Sequence, residues 1–381
     1  MNKCLVTKLN GSSNNSELLR LGEMRMKILK VSNPTEHTQG FSLGVNKPAT
    51  LEIVSDGYFT DKTLTENKGK NITLNVGVND IWVNGNSDVE IAILDKYSLT
   101  RIDKSYQGEV TNSVYGNNIK FNISDLQYST ALNTISLSNT QVSGDIASLK
   151  NLTALAYLSL GNTQVSGDIA SLKNLTALTS MYLNNTQVSG DIASLKNLTA
   201  LLYLSLGNTQ VSGDIASLKN LTALTSLILS NTQVSGDIAS LKNLTALTSL
   251  SLDNIKVSGD IGELSGLIKC KNISLKGGTF TGDLSQIPSA CVFVSFSSNN
   301  NTVLSWTNRP STAKILAIEG NVKITNVDKM LQDQAQCQVG FTASSQAWYK
   351  TISCFGTRTS ASDAAVQTLQ SKGYTVSITP A

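Results

Sequence analysis

The chain is 381 residues long, 40% hydrophobic and 15% charged, with 30 Lys plus Arg against 27 Asp plus Glu and a formal net charge of +3. Near-neutral charge with no basic run excludes a nucleic-acid binder built on a cationic surface, and this length exceeds one compact core, so two or three units are expected. A single histidine, His37, and five cysteines without a C-x-x-C pair (Cys4, Cys270, Cys291, Cys337, Cys354) provide neither a Ser-His-Asp triad nor a Cys-His pair nor a zinc site. A non-enzyme with free thiols, no metal and no cofactor is expected.

Residues 1–8 turn polar before an apolar h-region forms, and no apolar run of about 18 residues exists, so neither a secretion or lipoprotein signal nor a membrane span is expected. Residues 1–110 carry short or alternating apolar runs at 24–31, 50–54, 71–76 and 88–94, punctuated by Gly40, Gly44, Gly57, Gly77 and Gly85. That pattern predicts a small N-terminal β-sandwich, with a polar linker near Gln107, Gly108 and Glu109.

From Leu132 to Leu284 one phrase recurs every 23 residues: Asn139-Thr140-Gln141-Val142-Ser143-Gly144-Asp145 returns from Asn162, Asn185, Asn208 and Asn231, with a degraded copy at Asn254. One unit reads Leu152-x-x-Leu155-x-x-Leu158-x-Leu160-x-Asn162, then Val165-x-Gly167-x-Ile169-x-x-Leu172. A unit this small cannot bury its own apolar face, so the period predicts a solenoid of stacked coils, each with a short strand and a tight return. Residues 113–131 are expected to cap its first coil. After Leu264 the register continues through Leu267, Cys270, Ile273, Leu275, Phe280, Gly282 and Leu284, with Gly277 in place of the asparagine. These residues resemble the leucine-rich repeat, and the Val-Ser-Gly-Asp-Ile segment is similar to the second half of the plant-type variant.

Residues 291–381 read as an irregular continuation and C-terminal cap. Strands are expected at 292–296, 314–318, 351–355 and 374–378, with a helix over 362–373 that is N-capped by Ser360 or Ser362 and followed by Gly373. The last strand is expected to close the solenoid's open edge. The fold class is therefore a β-rich α/β solenoid in three parts, 1–110, 111–290 and 291–381.

Stacking puts each repeat position roughly 5 Å from its copies, so repeated residues become columns. The asparagines Asn139, Asn162, Asn185, Asn208, Asn231 and Asn254 are expected to form a structural ladder, their amides satisfying backbone groups of the turns. Asp145, Asp168, Asp191, Asp214, Asp237, Asp260 and Asp283 each precede a short helical turn; capping is favoured over calcium binding, with Lys150, Lys173, Lys196, Lys219 and Lys242 compensating their charge. The Asn-Leu-Thr sequons at Asn151, Asn174, Asn197, Asn220 and Asn243 follow from the repeat itself.

Variation between coils falls mainly on the strand positions between the leucines. Strand alternation turns these outward onto a concave sheet, which makes Tyr157, Ser159, Ser180, Tyr182, Asn184, Tyr203, Ser205, Ser226, Ile228, Ser251 and Asp253 the candidate ligand-binding face. Tyrosine among hydroxyl and amide groups suits recognition of proteins or sugars.

The opening residues 1–9, the repeated coil phrase and the tail from Arg358 through Lys372-Gly373-Tyr374 resemble modular proteins of gut-bacterial phages. That resemblance implies a virion structural protein, a fibre or head or tail appendage, whose N-terminal domain docks to other virion proteins and whose solenoid is displayed toward a host-surface glycan or protein. It also implies a homo-oligomer, commonly a trimer, on the virion surface. The alternatives are a purely structural decoration or scaffold protein of the particle and a bacterial cell-surface repeat protein.

Overall fold

A computed structural model describes residues 122–127, 130–296, 302–320, 322–340 and 350–380, together with the backbone of nine strands between residues 25 and 111. Among those nine, Tyr58–Leu64, Ala49–Ser55, Gly77–Asn84, Arg25–Asn33 and Ser98–Ile102 form, in that order, a five-stranded antiparallel sheet. His37 and Cys4 lie outside the described residues.

The 23-residue unit folds as one coil with three sides. Tyr157–Ser159 and its equivalents form the first sheet, Gln164–Asp168 and its equivalents the second, and a 3-10 turn, Ile169–Leu172, closes the coil. Both sheets are parallel and in strict register, Leu158 opposite Met181 and Gly167 opposite Val188. The segment expected as a tight return is thus largely strand. Inside each coil the periodic residues meet: Leu152, Leu155, Leu158, Leu160, Val165, Ile169 and Leu172 are fully buried. A coil's apolar side chains find their partners only in the coils above and below, so the core is one continuous column. The buried threonines Thr163, Thr186, Thr209 and Thr232 each donate to the carbonyl three residues back, at 2.6–2.7 Å, which satisfies a hydroxyl that the column would otherwise strand. These features make the central array a leucine-rich repeat solenoid.

Two ends differ from expectation. Residues 113–121 lie outside the described residues, but Asn122 and the 3-10 turn Ile123–Leu126 already follow the coil pattern. Asn122 accepts from the Ser124 N–H at 3.0 Å as each aspartate does two residues on, and Ile123 and Leu126 are buried. The first-sheet edge beyond Ala131–Ser136 is covered by Gln107–Thr111, which pairs parallel with it and with Val89–Ile93. The segment read as a linker is therefore a strand; its backbone groups pair in the ladder.

Beyond Ile287 the first sheet continues through Phe293–Phe296, Ala317–Gly320, Thr351–Phe355 and Thr375–Thr379, all parallel. The third side now becomes helical: α1, Val327–Gln336, and α2, Asp363–Ser371, pack on one another. The strand expected at 314–318 begins three residues later, because the backbone before it pairs elsewhere: Lys314 and Ile315 with Gln338, Leu316 with the Gln334 amide, and the Lys314 carbonyl with Nε of buried Arg309 at 3.1 Å, whose Nη atoms donate to the carbonyls of Ile287, Pro288 and Cys291. Neither Ser360 nor Ser362 caps α2 through its side chain. Thr359 caps the preceding 3-10 turn, Ser360–Ser362, and the Ser362 hydroxyl donates to Asp328 at 2.6 Å, tying α2 to α1. The final strand does not close the sheet. Among the described residues Thr375–Thr379 is paired only with Thr351–Phe355 and so is the sheet's edge, with Val376 and Ile378 half-buried.

Candidate functional site

The first sheet's outer face is built from two columns per strand. Register places Tyr157, Ser180, Tyr203 and Ser226 in one column and Ser159, Tyr182, Ser205 and Ile228 in the other, continuing to Ser251 and Ser274. The three tyrosines therefore alternate between columns, and their rings meet diagonally: Tyr157 and Tyr182 have centroids 5.8 Å apart at 50°, Tyr182 and Tyr203 6.4 Å apart at 27°. Both separations fall within the range of favourable aromatic pairs. Burial raises the Tyr182 phenol above its ordinary range, and the neighbouring Tyr157 and Tyr203 phenols raise it further, against an opposing Ser180 hydrogen bond. The central ring is thus a neutral donor at neutral pH.

The serines under these rings are not free contacts. Ser159, Ser180 and Ser205 retain only 7%, 6% and 5% exposure, and each hydroxyl has a partner: Ser138 Oγ at 2.6 Å for Ser159, the Tyr182 phenol for Ser180 and Asn184 Oδ1 for Ser205. Alternation was read as exposing them, but all three are buried polar residues. The most accessible part of this half is Tyr203, 40% exposed, with its neighbour Leu202, while Tyr157, Tyr182 and Ile228 are half-buried. Asn184 stands two residues past the strand and accepts weakly from Ser205 Oγ at 3.4 Å.

Farther along the same face lies a cleft of about 370 Å3, over the strands from Ser249–Ser251 to Ala317–Gly320. Ser251 is on its floor. Asp253 lies beside it, its Oδ1 accepting from Ser274 Oγ at 2.6 Å and from the Lys276 N–H at 3.0 Å. At the other wall Glu319 accepts from Ser295 Oγ at 2.9 Å and faces the Lys276 ammonium at 3.7 Å. Asn272, Ser274, Lys276, Phe293 and Glu319 were not among the sequence candidates, although the alternation about Ile273 and Val294 extends the same columns to them.

The repeated columns elsewhere are committed to structure. All six asparagines are left-handed, with φ from 55° to 61°, and each Nδ2 after the first donates to the Oδ1 of the previous coil at 2.7–2.9 Å. The amides thus bond one another, not the turn backbone, while each asparagine N–H reaches a carbonyl of the next coil. Gly277, which ends the column, keeps φ at 77°. Each aspartate from Asp145 to Asp237 accepts the N–H two residues on at 2.8–2.9 Å, which leaves it a helix-turn cap. Among the described residues no ion pair joins the aspartate and lysine columns. Each lysine follows the opposite end of the 3-10 turn, and Lys242 instead pairs with Glu263 at 3.4 Å.

No protein-family model matches the chain, and no curated protein matches it. Solved structures similar to it include internalin C2 of Listeria monocytogenes, 29% identical with a TM-score of 0.37, covering 48% of this chain and 72% of that one. Another is the leucine-rich repeat ectodomain of the Arabidopsis thaliana receptor kinase GASSHO1/SCHENGEN3 in complex with CASPARIAN STRIP INTEGRITY FACTOR 2, 20% identical with a TM-score of 0.45, covering 72% and 34%. A plant ice-binding protein is 17% identical with a TM-score of 0.43, covering 67% and 85%. The chain thus spans about a third of the length of that receptor ectodomain.

Proposed function

We propose that this chain is a non-enzymatic attachment protein that binds a host-surface protein or glycan through the outer face of its first sheet. The observation that carries this reading is the run of Tyr157, Tyr182 and Tyr203, the central ring in contact with the ring on either side of it. Rings held by each other and by the sheet offer area at little further cost in conformational entropy, and each ends in a phenol that can donate and accept. The setting we propose is the one the sequence resemblance implies: the outside of a phage particle, with residues 1–110 engaging other virion proteins.

Adsorption of the purified full chain to host cells tests this. Replacing the three tyrosines by alanine is expected to reduce cell binding at least tenfold while leaving the melting temperature within a few degrees. Undiminished binding by a folded triple variant would remove the face from consideration. Immunogold labelling of intact particles checks the setting, and label confined to the bacterial cell surface would replace the particle by the cell.

A further inference from the structure

The cleft at the far end of the same face has features that the tyrosine run does not share. At about 370 Å3 it lies toward the small end of the roughly 300–1,000 Å3 typical of small-molecule sites. Its lining mixes hydroxyls (Ser251, Ser274), an amide (Asn272), an ammonium (Lys276), a carboxylate (Glu319) and one aromatic wall (Phe293). Asn272 Oδ1 is buried without a hydrogen-bond partner. A buried acceptor left unmade costs about 1–3 kcal/mol, so a protein rarely retains one unless something else supplies the donor.

We propose that this cleft binds one or two units of a neutral, polyhydroxylated sugar, with Asn272 as its central contact. Lys276 and Glu319 face each other across 3.7 Å, so the lining carries no net charge and does not select an anion or a cation. Phe293 retains only 6% exposure and is the sole aromatic in the lining, and the two aliphatic members, Leu250 and Ile273, are buried core residues, so no open apolar side chain is left to seat those of a peptide. What remains is a set of groups that both donate and accept within a small volume. Vicinal hydroxyls match it: one pairs with the amide of half-buried Asn272, whose side chain turns to present it, its neighbour donates to the Glu319 carboxylate, and each accepts from Lys276 or a serine. A ligand lacking hydroxyls would leave these groups unpaired, which is how such a site discriminates. The assignment does not depend on the tyrosine run, which ends at Tyr203, two coils before Ser249.

Saturation-transfer NMR and calorimetry on the full chain test it, using the methyl pyranosides of glucose, galactose, mannose and N-acetylglucosamine, with the tripeptide Gly-Ser-Gly as the competing class. At least one pyranoside is expected to bind. Ser251→Trp, which fills the cleft from a half-buried outer position, is expected to weaken it at least tenfold, as is Asn272→Leu, while Tyr182→Ala changes it less than twofold. Should Asn272→Leu fail to fold, Ser251→Trp and Glu319→Gln decide. Binding by no pyranoside, binding untouched by Ser251→Trp, or binding of the tripeptide alone would overturn the proposal. Loss of cell adsorption in the tyrosine variant with pyranoside binding intact would separate the two sites.

Discussion

The asparagine ladder sets two physical effects against each other at one residue. Asn208 sits at φ 57°, donates to Asn185 Oδ1 at 2.7 Å and accepts from Asn231 Nδ2 at 2.8 Å. Both bonds are exposed, so together they contribute about 1–2 kcal/mol at roughly 0.5–1 each. Alanine loses both and also meets the left-handed penalty of roughly 1–2 kcal/mol, for a total near 3. Glycine loses both bonds but is at ease at this φ; its cost is about 0.4–1 kcal/mol of added unfolded-chain freedom, for a total near 2. Urea unfolding followed by circular dichroism, with the m-value monitored because repeat arrays can lose two-state behaviour, should therefore rank wild type above Asn208→Gly above Asn208→Ala. Gly277, at φ 77° in the same column, supports the ranking from within the chain. An alanine variant as stable as the glycine variant would refute the conformational part, and a glycine variant indistinguishable from wild type would refute the ladder. A cycle with Asn185→Gly isolates the shared 2.7 Å bond, with a coupling of about 0.5–1 kcal/mol expected.

Removing the cap at Asp191 by alanine is expected to cost about 1 kcal/mol in the same assay. The wild-type melt should not move on adding EDTA, since these carboxylates already bond backbone N–H groups; a fall of several degrees would restore calcium. Asp328 is held below the usual carboxylate range by hydrogen bonds from Ser362 and Thr359, with Arg358 a lesser cause. A folded-state pKa below the unfolded value contributes stability that is complete above about pH 4 and is lost as pH falls through the folded value. Between pH 5 and pH 3 the wild type should therefore lose more stability than Asp328→Asn, and parallel curves would refute the role of this carboxylate. Burial pushes the thiols of Cys270, Cys291 and Cys354 up to about 12, and that of Cys337 upward as well. At pH 8 a thiol reagent should find at most one of the five cysteines, Cys4, in the native protein and all five in guanidinium. A second native thiol, in a protein shown to be folded, would contradict their burial.

The coil was legible in the sequence because its apolar positions are repeated in register. What escaped has local causes. The second strand was read as a return because Gly167, at φ 109°, interrupts the expected strand composition. Its glycine is required twice over: a Cβ there would also lie 2.0 Å from Asp145 Oδ1 of the preceding coil. Helix α1 was missed although Val327, Met330, Leu331 and Gln334 share one buried face, because the last is polar. Gln334 is nevertheless a core residue: its Oε1 accepts from Leu316 N–H at 2.7 Å and its Nε2 donates to Leu316 O at 2.9 Å, so its amide stands in for a neighbouring strand. On the outer face of the first sheet, alternation says nothing of access. Whether Ser180 is open depends on how Tyr182 and its neighbours lie, which no single-residue periodicity encodes.

The same aspartate and glycine columns explain where the regular array stops. Through Gly282, each glycine leaves room for the aspartate of the coil before it; a Cβ at 282 would lie 1.8 Å from Asp260 Oδ1. In the next coil the position opposite Asp283 is Ser305, paired with it by an isolated bridge. Asp283 still caps Ser285 at 2.9 Å, but it is now buried and also takes hydrogen bonds from Thr307. Burial alone would raise its pKa; the hydrogen bonds, Thr307 first, bring it below the usual range. The seven-stranded second sheet ends at Thr279–Thr281, one coil before this substitution. Past it the second side shrinks to the short pair Val303–Leu304 and Lys323–Ile324, α1 and α2 make the third side of longer coils, and the first sheet runs on. The outer face of the first sheet is thus shared by the regular and irregular coils. The tyrosine run lies on its regular part, and the cleft lies where the two parts meet.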